Sequence, residues 1–420
     1  MDNIDFLLDF TRKVCETGAQ NLNLPKINEI DIFKSYFQDG KIKGLDEFDG
    51  KYKRREILAR CLLLYVALDQ GPDIIGVREL LKNVINQLYR KEIRILHTPI
   101  EFFKEIDIAI DEIIEQHEEI KEIRKHLWAK EMNSKPSKYN LFFTQTPRGI
   151  VSITQVLDYV IHRWGLPLCC FLIREKDLEK QNKISYSPFV DWIESFKSAE
   201  LMAREIKNNE RYGLGSAIGP KACHLFAKFY VSVFKLTKRK DDGWSDISYE
   251  IPFDSNVGRV LWRTGFLLFL AEEKDYVEYG VINKGGGKRG TNKLRITNIR
   301  GKKVKNYLPK EFENKFREVI KKYLKINVRK VEIQKIPNLL IYLLNEKGNK
   351  FSIANFDDGL MQIGTKYCFN HDKPKCEECP LRKDYCRGYN KEKKFNRGVY
   401  HLTRRNYESS NFLWNRRYKS

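Results

Sequence analysis

The feature that most constrains the fold of this chain is a group of four cysteines. Cys368, Cys376, Cys379 and Cys386 are separated by seven, two and six residues. Four thiol groups in so short a segment indicate a metal centre, because a cation is needed to gather thiolates that would otherwise repel one another. The sequence therefore predicts that this segment folds around a metal.

The spacing of the cysteines bears on the kind of metal. A structural zinc site usually has two short Cys pairs, whereas only Cys376 and Cys379 form such a pair here. A 4Fe-4S cluster is larger than a single ion and can take one central pair flanked by two more distant thiolates. We therefore expect a 4Fe-4S cluster, with zinc as the alternative.

The overall charge and apolar content narrow the class of protein. The formal net charge is +21 over 420 residues, which indicates an anionic partner such as nucleic acid or an acidic membrane surface. No apolar run approaches the roughly 20 residues that span a bilayer, and the opening stretch MDNIDFLLDFTRKVCE is interrupted by acidic residues, unlike a signal peptide. We expect a cytoplasmic protein without a membrane partner.

Helical periodicity dominates the first two thirds of the chain. Between Glu101 and Met132, apolar residues recur at steps of three and four, which predicts one long amphipathic helix. The segment MNSKPSKYN then ends this helix, and helical patterning resumes from Leu141 to Leu270. A chain of this length is expected to divide into more than one domain.

The cysteine segment and its lead-in LMQIGTKYC resemble the iron-sulfur loop of endonuclease III and its relatives in the helix-hairpin-helix DNA glycosylase superfamily. The outer intervals are slightly longer than the family usually has. A second match is GLGSAIGPKACHLFAKFY, residues Gly213 to Tyr230, which has the form of a helix, a Gly-containing hairpin and a second helix. Such a hairpin binds a DNA phosphate through main-chain amides, and the resemblance implies DNA contacts at Gly215, Ile218 and Gly219.

The resemblance also implies the catalytic residues. Lys221 falls where bifunctional family members keep a nucleophilic lysine, and a position early in a helix favours the neutral amine. EIPFDSNVGRVLWRTGF looks like the family stretch with the essential aspartate, here Asp254. LFFTQTPRGI resembles the opening helix of the glycosylase domain, with Gln145 filling the gap left by a flipped base. The alternatives are a solvated lysine, an aspartate that only caps its helix, and an unremarkable glutamine.

A basic insertion follows the aspartate stretch. Val281 to Lys330 contains 12 Lys and 5 Arg against 3 Glu, a local net charge of +14. It includes Lys288 and Arg289, and the alternation at Leu294 and Ile296 predicts a small hairpin. We expect this insertion to contact the DNA backbone, with a solvated excursion as the alternative.

Together these features predict an all-α protein with a helix-hairpin-helix glycosylase core, in the family a helical barrel, beside a helical iron-sulfur domain. The expected function is a bifunctional DNA glycosylase and AP lyase of base excision repair, acting as a monomer on double-stranded DNA that contains a damaged or modified base, in association with the nucleoid. The alternative is a noncatalytic nucleic-acid-binding protein on the same fold. The expected segments are an N-terminal helical region (1–135), the glycosylase core (136–271), the basic insertion (272–335), the iron-sulfur domain (336–390) and a basic tail (391–420).

Overall fold

The structure is a computed structural model. It describes residues 3–20, 25–68, 74–105, 108–117, 119–120, 122–123, 143–146, 149–270, 282–284, 292–294, 303–304, 308–368, 374–386 and 389. Within this part of the chain the protein is mostly helical, as the sequence predicts, and no helix has the length and apolarity needed to cross a membrane. The predicted basic tail (391–420) and the predicted DNA contacts Lys288 and Arg289 lie outside the described residues.

The regular elements are numbered in chain order. The α-helices are α1 (Asn3–Ala19), α2 (Arg54–Leu68), α3 (Ile74–Arg90), α4 (Pro99–Glu105), α5 (Ile110–Gln116), α6 (Ile153–Lys180), α7 (Pro188–Glu194), α8 (Ala199–Asn208), α9 (Pro220–Ala227), α10 (Ser255–Arg263), α11 (Lys310–Val319), α12 (Ile336–Glu346), α13 (Ile353–Lys366) and α14 (Arg382–Tyr385). The strands are β1 (Phe37–Gln38), β2 (Lys41–Ile42), β3 (Phe48–Asp49), β4 (Tyr52–Lys53), β5 (Phe143–Thr146), β6 (Gly149–Ser152), β7 (Ile282–Lys284) and β8 (Asn292–Leu294). They form four antiparallel two-stranded hairpins in sequence order.

The chain divides into two compact units. The first unit contains Met1–Asn23 and Lys240–Ser420, and the second contains Leu24–Arg239. This division cuts across the segments expected from the sequence, because the predicted glycosylase core (136–271) is shared between both units. The N-terminal helix α1 belongs to the unit that contains the four cysteines.

The second unit is organised around α2. From Arg55 to Leu68 every residue of this helix is buried, and α6, α7 and α9 pack around it. A helix that is buried on all sides is typical of the centre of a core. The indole Nε1 of Trp164 on α6 donates a hydrogen bond of 3.0 Å to the carbonyl of Leu64, which fixes the contact between the two helices.

Two fully buried charges on α2 bind the surrounding elements together. Arg60 donates to Glu56 at 2.7 Å and to Glu175 of α6 at 2.9 Å. The Glu56 carboxylate also accepts from the main-chain amides of Phe189 and Val190, at 3.1 and 2.9 Å, and so satisfies the first turn of α7. Burial raises the pKa of Glu56, and the Arg60 guanidinium opposes that shift. Each charge is therefore tolerated in the core only because the other is present.

The first unit is built on a close contact between α1 and α13. A Cβ atom at Gly359 of α13 would lie 2.0 Å from the carbonyl oxygen of Val14, and one at Gly18 would lie 1.9 Å from that of Asn355. Only glycine permits two helix backbones to approach so closely. The first unit therefore contains the packed pair α1 and α13, made from the start and the later part of the chain.

Two sequence predictions about local structure are wrong. The long helix expected between Glu101 and Met132 is interrupted: α4 ends at Glu105 and α5 begins at Ile110. The amide of Ile108 bonds back to the carbonyl of Phe103 at 2.9 Å, which closes the end of α4. Ile108 and Ile110 are both buried. They are only two positions apart, a spacing that does not place both on one face of a helix.

The second wrong prediction is the opening helix around LFFTQTPRGI. This stretch forms the hairpin of β5 and β6, in which Gln145 pairs with Ile150. Its aromatic and β-branched residues favour a strand over a helix.

A small hairpin was also predicted in the basic insertion, and the structure has one between β7 and β8, where Ile282 pairs with Leu294.

Candidate functional site

The four predicted metal ligands come together in the first unit. Cys368, Cys376, Cys379 and Cys386 are half-buried and line one pocket. The side chains of Ile363, Tyr367 and Leu381 among others complete its wall. The sequence spacing predicted this convergence, and the cysteines form a site that could bind a metal.

The local backbone explains how the thiols converge. α13 ends before Cys368, whose amide bonds back to the carbonyl of Ile363 at 2.8 Å. The close pair forms a tight turn in which the amide of Cys379 bonds to the carbonyl of Cys376 at 3.3 Å. The short helix α14 then begins after this turn and ends immediately before Cys386. Each cysteine therefore lies at an element end or a turn.

Two buried arginines of α10 hold this loop, and the sequence analysis did not find them. Arg259 donates to the carbonyl of Cys368 at 2.9 Å and to that of Gly364 at 2.9 Å. Arg263 Nη1 lies 3.3 Å from the same Cys368 carbonyl and 3.4 Å from its Sγ. Their spacing of four residues places both on one face of the helix, which is the signal that the sequence offered.

The electrostatics of the pocket depend on whether a cation is bound. Burial raises the pKa of the Cys379 thiol to about 11, and neighbouring Cys368 acts in the same direction. Burial lowers the pKa of Arg259 to about 10. A thiol in this environment is neutral near pH 7 without a metal, whereas a bound cation would favour the thiolate that serves as a ligand.

The predicted hairpin lies in the second unit. α8 ends at Asn208, a 3₁₀ turn spans Gly215–Ala217, and α9 begins at Pro220. Lys207 Nζ donates to the carbonyls of Gly215 and Ile218, at 2.6 and 2.9 Å, and so fixes the connection between the helices. A glycine-containing turn followed by a helix is present as the sequence predicts, but the preceding helix ends before Gly213, and a helix-hairpin-helix motif stays a prediction.

The individual hairpin residues differ in what they offer to a ligand. Gly215 has a φ of +56°, a conformation that favours glycine, and a Cβ at Gly215 or Gly219 would meet no atom within 4 Å. Both glycines therefore face open space. The side chain of Ile218 is 1% exposed, so a DNA contact by this residue would have to use its main chain.

The two predicted catalytic residues lie in different units. Lys221 is the second residue of α9, in the second unit, and is half-buried. Asp254 is the N-cap of α10, in the first unit, where its carboxylate accepts from the amides of Asn256 at 2.8 Å and Val257 at 2.9 Å. The capping interpretation of Asp254 is therefore confirmed, and a joint role with Lys221 stays a prediction.

Comparisons with protein-family models, with curated proteins and with solved structures found no match. The site is therefore interpreted from its own residues.

Proposed function

We propose that this protein is an iron-sulfur DNA glycosylase with AP lyase activity, acting on double-stranded DNA that contains a damaged or modified base. The observation that carries this proposal is the convergence of Cys368, Cys376, Cys379 and Cys386 on one pocket. The lysine at the start of the helix after the glycine hairpin and the net charge of +21 also support it.

The sequence spacing of the thiols favours a cluster over a single zinc ion. A structural zinc site usually has two short Cys pairs, whereas only Cys376 and Cys379 form such a pair here. A four-iron cluster can take one central pair flanked by two more distant thiolates, so the residues present fit it.

The cysteine loop would serve DNA binding through its surface charges. Lys375 lies beside Cys376 and is half-exposed, and Arg382 follows the Cys376–Cys379 turn and is exposed. A bound cluster supplies cross-links that hold the loop in one shape. The basic side chains are then fixed in position for phosphate contacts, which orient the protein without reading a base.

In the proposed reaction Lys221 is the nucleophile. Its unprotonated Nζ attacks the C1′ carbon of an extruded nucleotide, the bond to the base breaks, and the base leaves with the bonding electrons and takes up a proton. The sugar ring then opens to give an imine between Nζ and C1′. Removal of a C2′ proton expels the 3′ phosphate and cuts the strand, and water releases the lysine.

Asp254 has an electrostatic role in this proposal. Positive charge grows on the sugar as the base departs, and a fixed carboxylate stabilises that charge. The two amide hydrogen bonds that make Asp254 an N-cap hold its carboxylate in one orientation, so no reorganisation is needed during the reaction.

Covalent trapping tests the proposal directly. Borohydride reduces the imine, so the full-length protein should become linked to a duplex with an abasic site. Lys221→Ala should abolish the linked species. Lys197→Ala is the matched control, since Lys197 is an exposed lysine of the same unit and should trap like the unmodified protein. Equal trapping by Lys221→Ala and the control would remove Lys221 from the mechanism.

The alternative function is noncatalytic binding of nucleic acid. The capping of α10 by Asp254 Oδ1 favours it, because a capping role explains this residue without any chemistry. Tight binding of duplexes without trapping, on a panel that carries different damaged bases, would establish this alternative.

A further inference from the structure

A second pocket lies in the unit of residues 24–239, and none of the candidate cysteine, hairpin or catalytic residues lines it. The 3₁₀ helix Asp31–Tyr36, the strand β3, the end of α3 and the segment leading to His97 form its walls. Its volume is about 490 Å³, within the range of roughly 300–1,000 Å³ that small-molecule sites occupy. The pocket can therefore hold a small organic ligand.

A chain of hydrogen-bonding side chains forms one wall. Tyr36 donates its hydroxyl to Asp49 Oδ2, His97 Nε2 lies 3.3 Å from Asp49 Oδ1, and the Tyr89 hydroxyl lies 2.7 Å from His97 Nδ1. His97 lowers the pKa of Asp49, and burial raises the pKa of both tyrosines. The carboxylate is therefore charged near pH 7, and both phenols keep their protons.

His97 anchors this wall. Its ring is 8% exposed, and its Nδ1 lies 2.7 Å from the Tyr89 hydroxyl. Its Nε2 is buried 3.3 Å from Asp49 Oδ1 and has no hydrogen-bond partner among the described residues. Burial and these two contacts hold the imidazole beside the pocket.

Arg94 supplies free hydrogen-bond donors to the pocket. Its main-chain amide donates to Glu101 at 2.7 Å, and its carbonyl accepts from His97 and Thr98. These bonds fix the backbone at this residue. Within the described part of the chain its exposed guanidinium has no hydrogen-bond or ion-pair partner. A guanidinium presents several N–H donors in a planar fork that matches phosphate and carboxylate oxygens.

The charge balance of the lining favours an anion. Arg54 packs over the Tyr36 ring at 4.9 Å, and Arg90 pairs with Asp31 at 3.2 Å. Asp31 is also paired with Lys34, at 2.7 Å. Arg54 is also paired with Glu47, so Arg94 is the lining arginine without an ion pair in the described part of the chain, while Asp31 and Asp49 are both engaged with partners.

An exposed aromatic ring completes the lining. Phe48 is 55% exposed and makes an edge-to-face contact with Tyr186, with ring centroids 5.0 Å apart. Because Tyr186 supports it by the edge, the Phe48 ring is held in place while much of its surface stays available for a planar group.

We propose that this pocket binds a nucleoside phosphate, with the base stacked on Phe48 and the phosphate held by Arg94 beside Arg90. An arginine guanidinium binds phosphate oxygens through paired hydrogen bonds, and an accessible aromatic ring stacks on a flat heterocycle. A free mononucleotide and the phosphorylated end of a nucleic-acid strand both present this chemistry. The inference concerns a site separate from Lys221 and Asp254, and it stands or falls independently of the glycosylase proposal.

Titration calorimetry on the full-length protein tests the ligand class. Adenosine monophosphate is the first probe, and adenosine and inorganic phosphate are its two halves. We expect the nucleotide to bind at least about 10-fold more tightly than either half, since charged hydrogen bonds and base stacking each contribute. A short single strand with a 5′ phosphate, compared with the same strand lacking it, is the second arm.

Variants assign the binding to the pocket. Arg94→Ala should weaken nucleotide binding at least about 10-fold. Phe48→Ala should weaken binding of the nucleotide and leave that of inorganic phosphate unchanged. Lys104→Ala, which removes an exposed positive charge of α4 outside the pocket, is the control for net charge.

Each outcome decides the matter. Arg94-dependent binding of adenosine monophosphate identifies a free nucleotide as a ligand, and Arg94-dependent binding of the phosphorylated strand alone identifies a strand end. The proposal is overturned if neither probe binds at millimolar concentration. It is also overturned if Arg94→Ala, folded as judged by circular dichroism, loses no more affinity than Lys104→Ala.

Discussion

Arg263 on α10 lies with its Nη1 3.4 Å from the Sγ of Cys368 and 3.3 Å from the carbonyl oxygen of the same residue. Asp254 caps the N-terminus of the same short helix. One helix of the first unit therefore joins the candidate carboxylate to the candidate metal ligands. A substitution at either end of α10 is expected to affect the position of the side chain at the other end.

Replacing Arg263 should weaken metal retention. The guanidinium stabilises negative charge on the Cys368 sulfur, and a hydrogen bond to a charged group contributes about 1.5–3 kcal/mol. If the protein carries the proposed cluster, we expect Arg263→Gln to lose iron to a chelator roughly 10-fold faster, measured from the iron content and the visible absorbance of the loaded protein. Arg12→Gln, an exposed arginine of α1 paired with Asp9, should lose iron at the rate of the unmodified protein. An unchanged rate for Arg263→Gln would show that this contact does not stabilise the centre.

Asp254→Asn separates capping from catalysis. Asparagine caps a helix about as well as aspartate, so the thermal unfolding midpoint should change little. If the carboxylate stabilises charge in the reaction, base excision should slow by about 10²–10³-fold, measured in single-turnover assays. Asp254→Ala should lower stability as well. Full activity in Asp254→Asn would leave this residue with a structural role alone.

The buried pair on α2 should be essential for stability. Arg60→Leu leaves the Glu56 carboxylate in the core without its 2.7 Å partner, and breaking a buried ion pair costs about 3–5 kcal/mol. Denaturant unfolding should show a lower midpoint. The double variant Arg60→Leu with Glu56→Gln should recover part of the loss, since no unpaired charge remains. A double variant less stable than the sum of both single losses would contradict this explanation.

Asp49 should contribute stability that depends on pH. The folded protein lowers its pKa, with the His97 contact as the largest cause, so the folded state favours the ionised carboxylate. That contribution is present above the unfolded pKa of about 3.9 and is lost as the pH falls through the lowered folded value. Asp49→Asn should therefore be less stable than the unmodified protein at pH 7, and the difference should shrink below about pH 4. A difference that is constant between pH 7 and pH 3 would rule out this contribution.

The close approach of α1 and α13 should not tolerate a methyl group. In Gly359→Ala the new Cβ would lie 2.0 Å from the Val14 carbonyl, and overpacking of this kind costs about 1–3 kcal/mol. Gly219→Ala is the matched control, since its Cβ meets no atom within 4 Å. Thermal unfolding of the two variants distinguishes steric cost from a general effect of replacing glycine.

The sequence predicted features that depend on local spacing. The four cysteines converge because their turns are encoded within a short segment, and the hairpin before α9 follows from its glycines. Prediction failed where distant contacts decide the structure. Ile110 was assigned to one long helix by its spacing from later apolar residues, but Ile108, two positions earlier, is buried as well, and its amide bonds back to Phe103 and ends α4.

The candidate site was predicted only in part for the same reason. In the sequence Arg259 and Arg263 look like surface charges. They are buried because α13 and the cysteine loop, about a hundred positions later, pack over them, and both then donate hydrogen bonds to the Cys368 carbonyl. The pocket around His97 combines residues from four separate segments, each unremarkable alone. The place of Lys221 and Asp254 in different units likewise depends on the whole fold.

The placement of α1 has a consequence for how the protein is made. Residues 24–239 form a continuous unit that can fold once its own last residue is translated, whereas α1 must wait for its partner α13, which is translated much later. At about 5–20 residues per second the delay is on the order of tens of seconds. During that time the apolar side chains of α1 that the folded unit buries, Phe6 and Phe10 among them, are exposed to solvent.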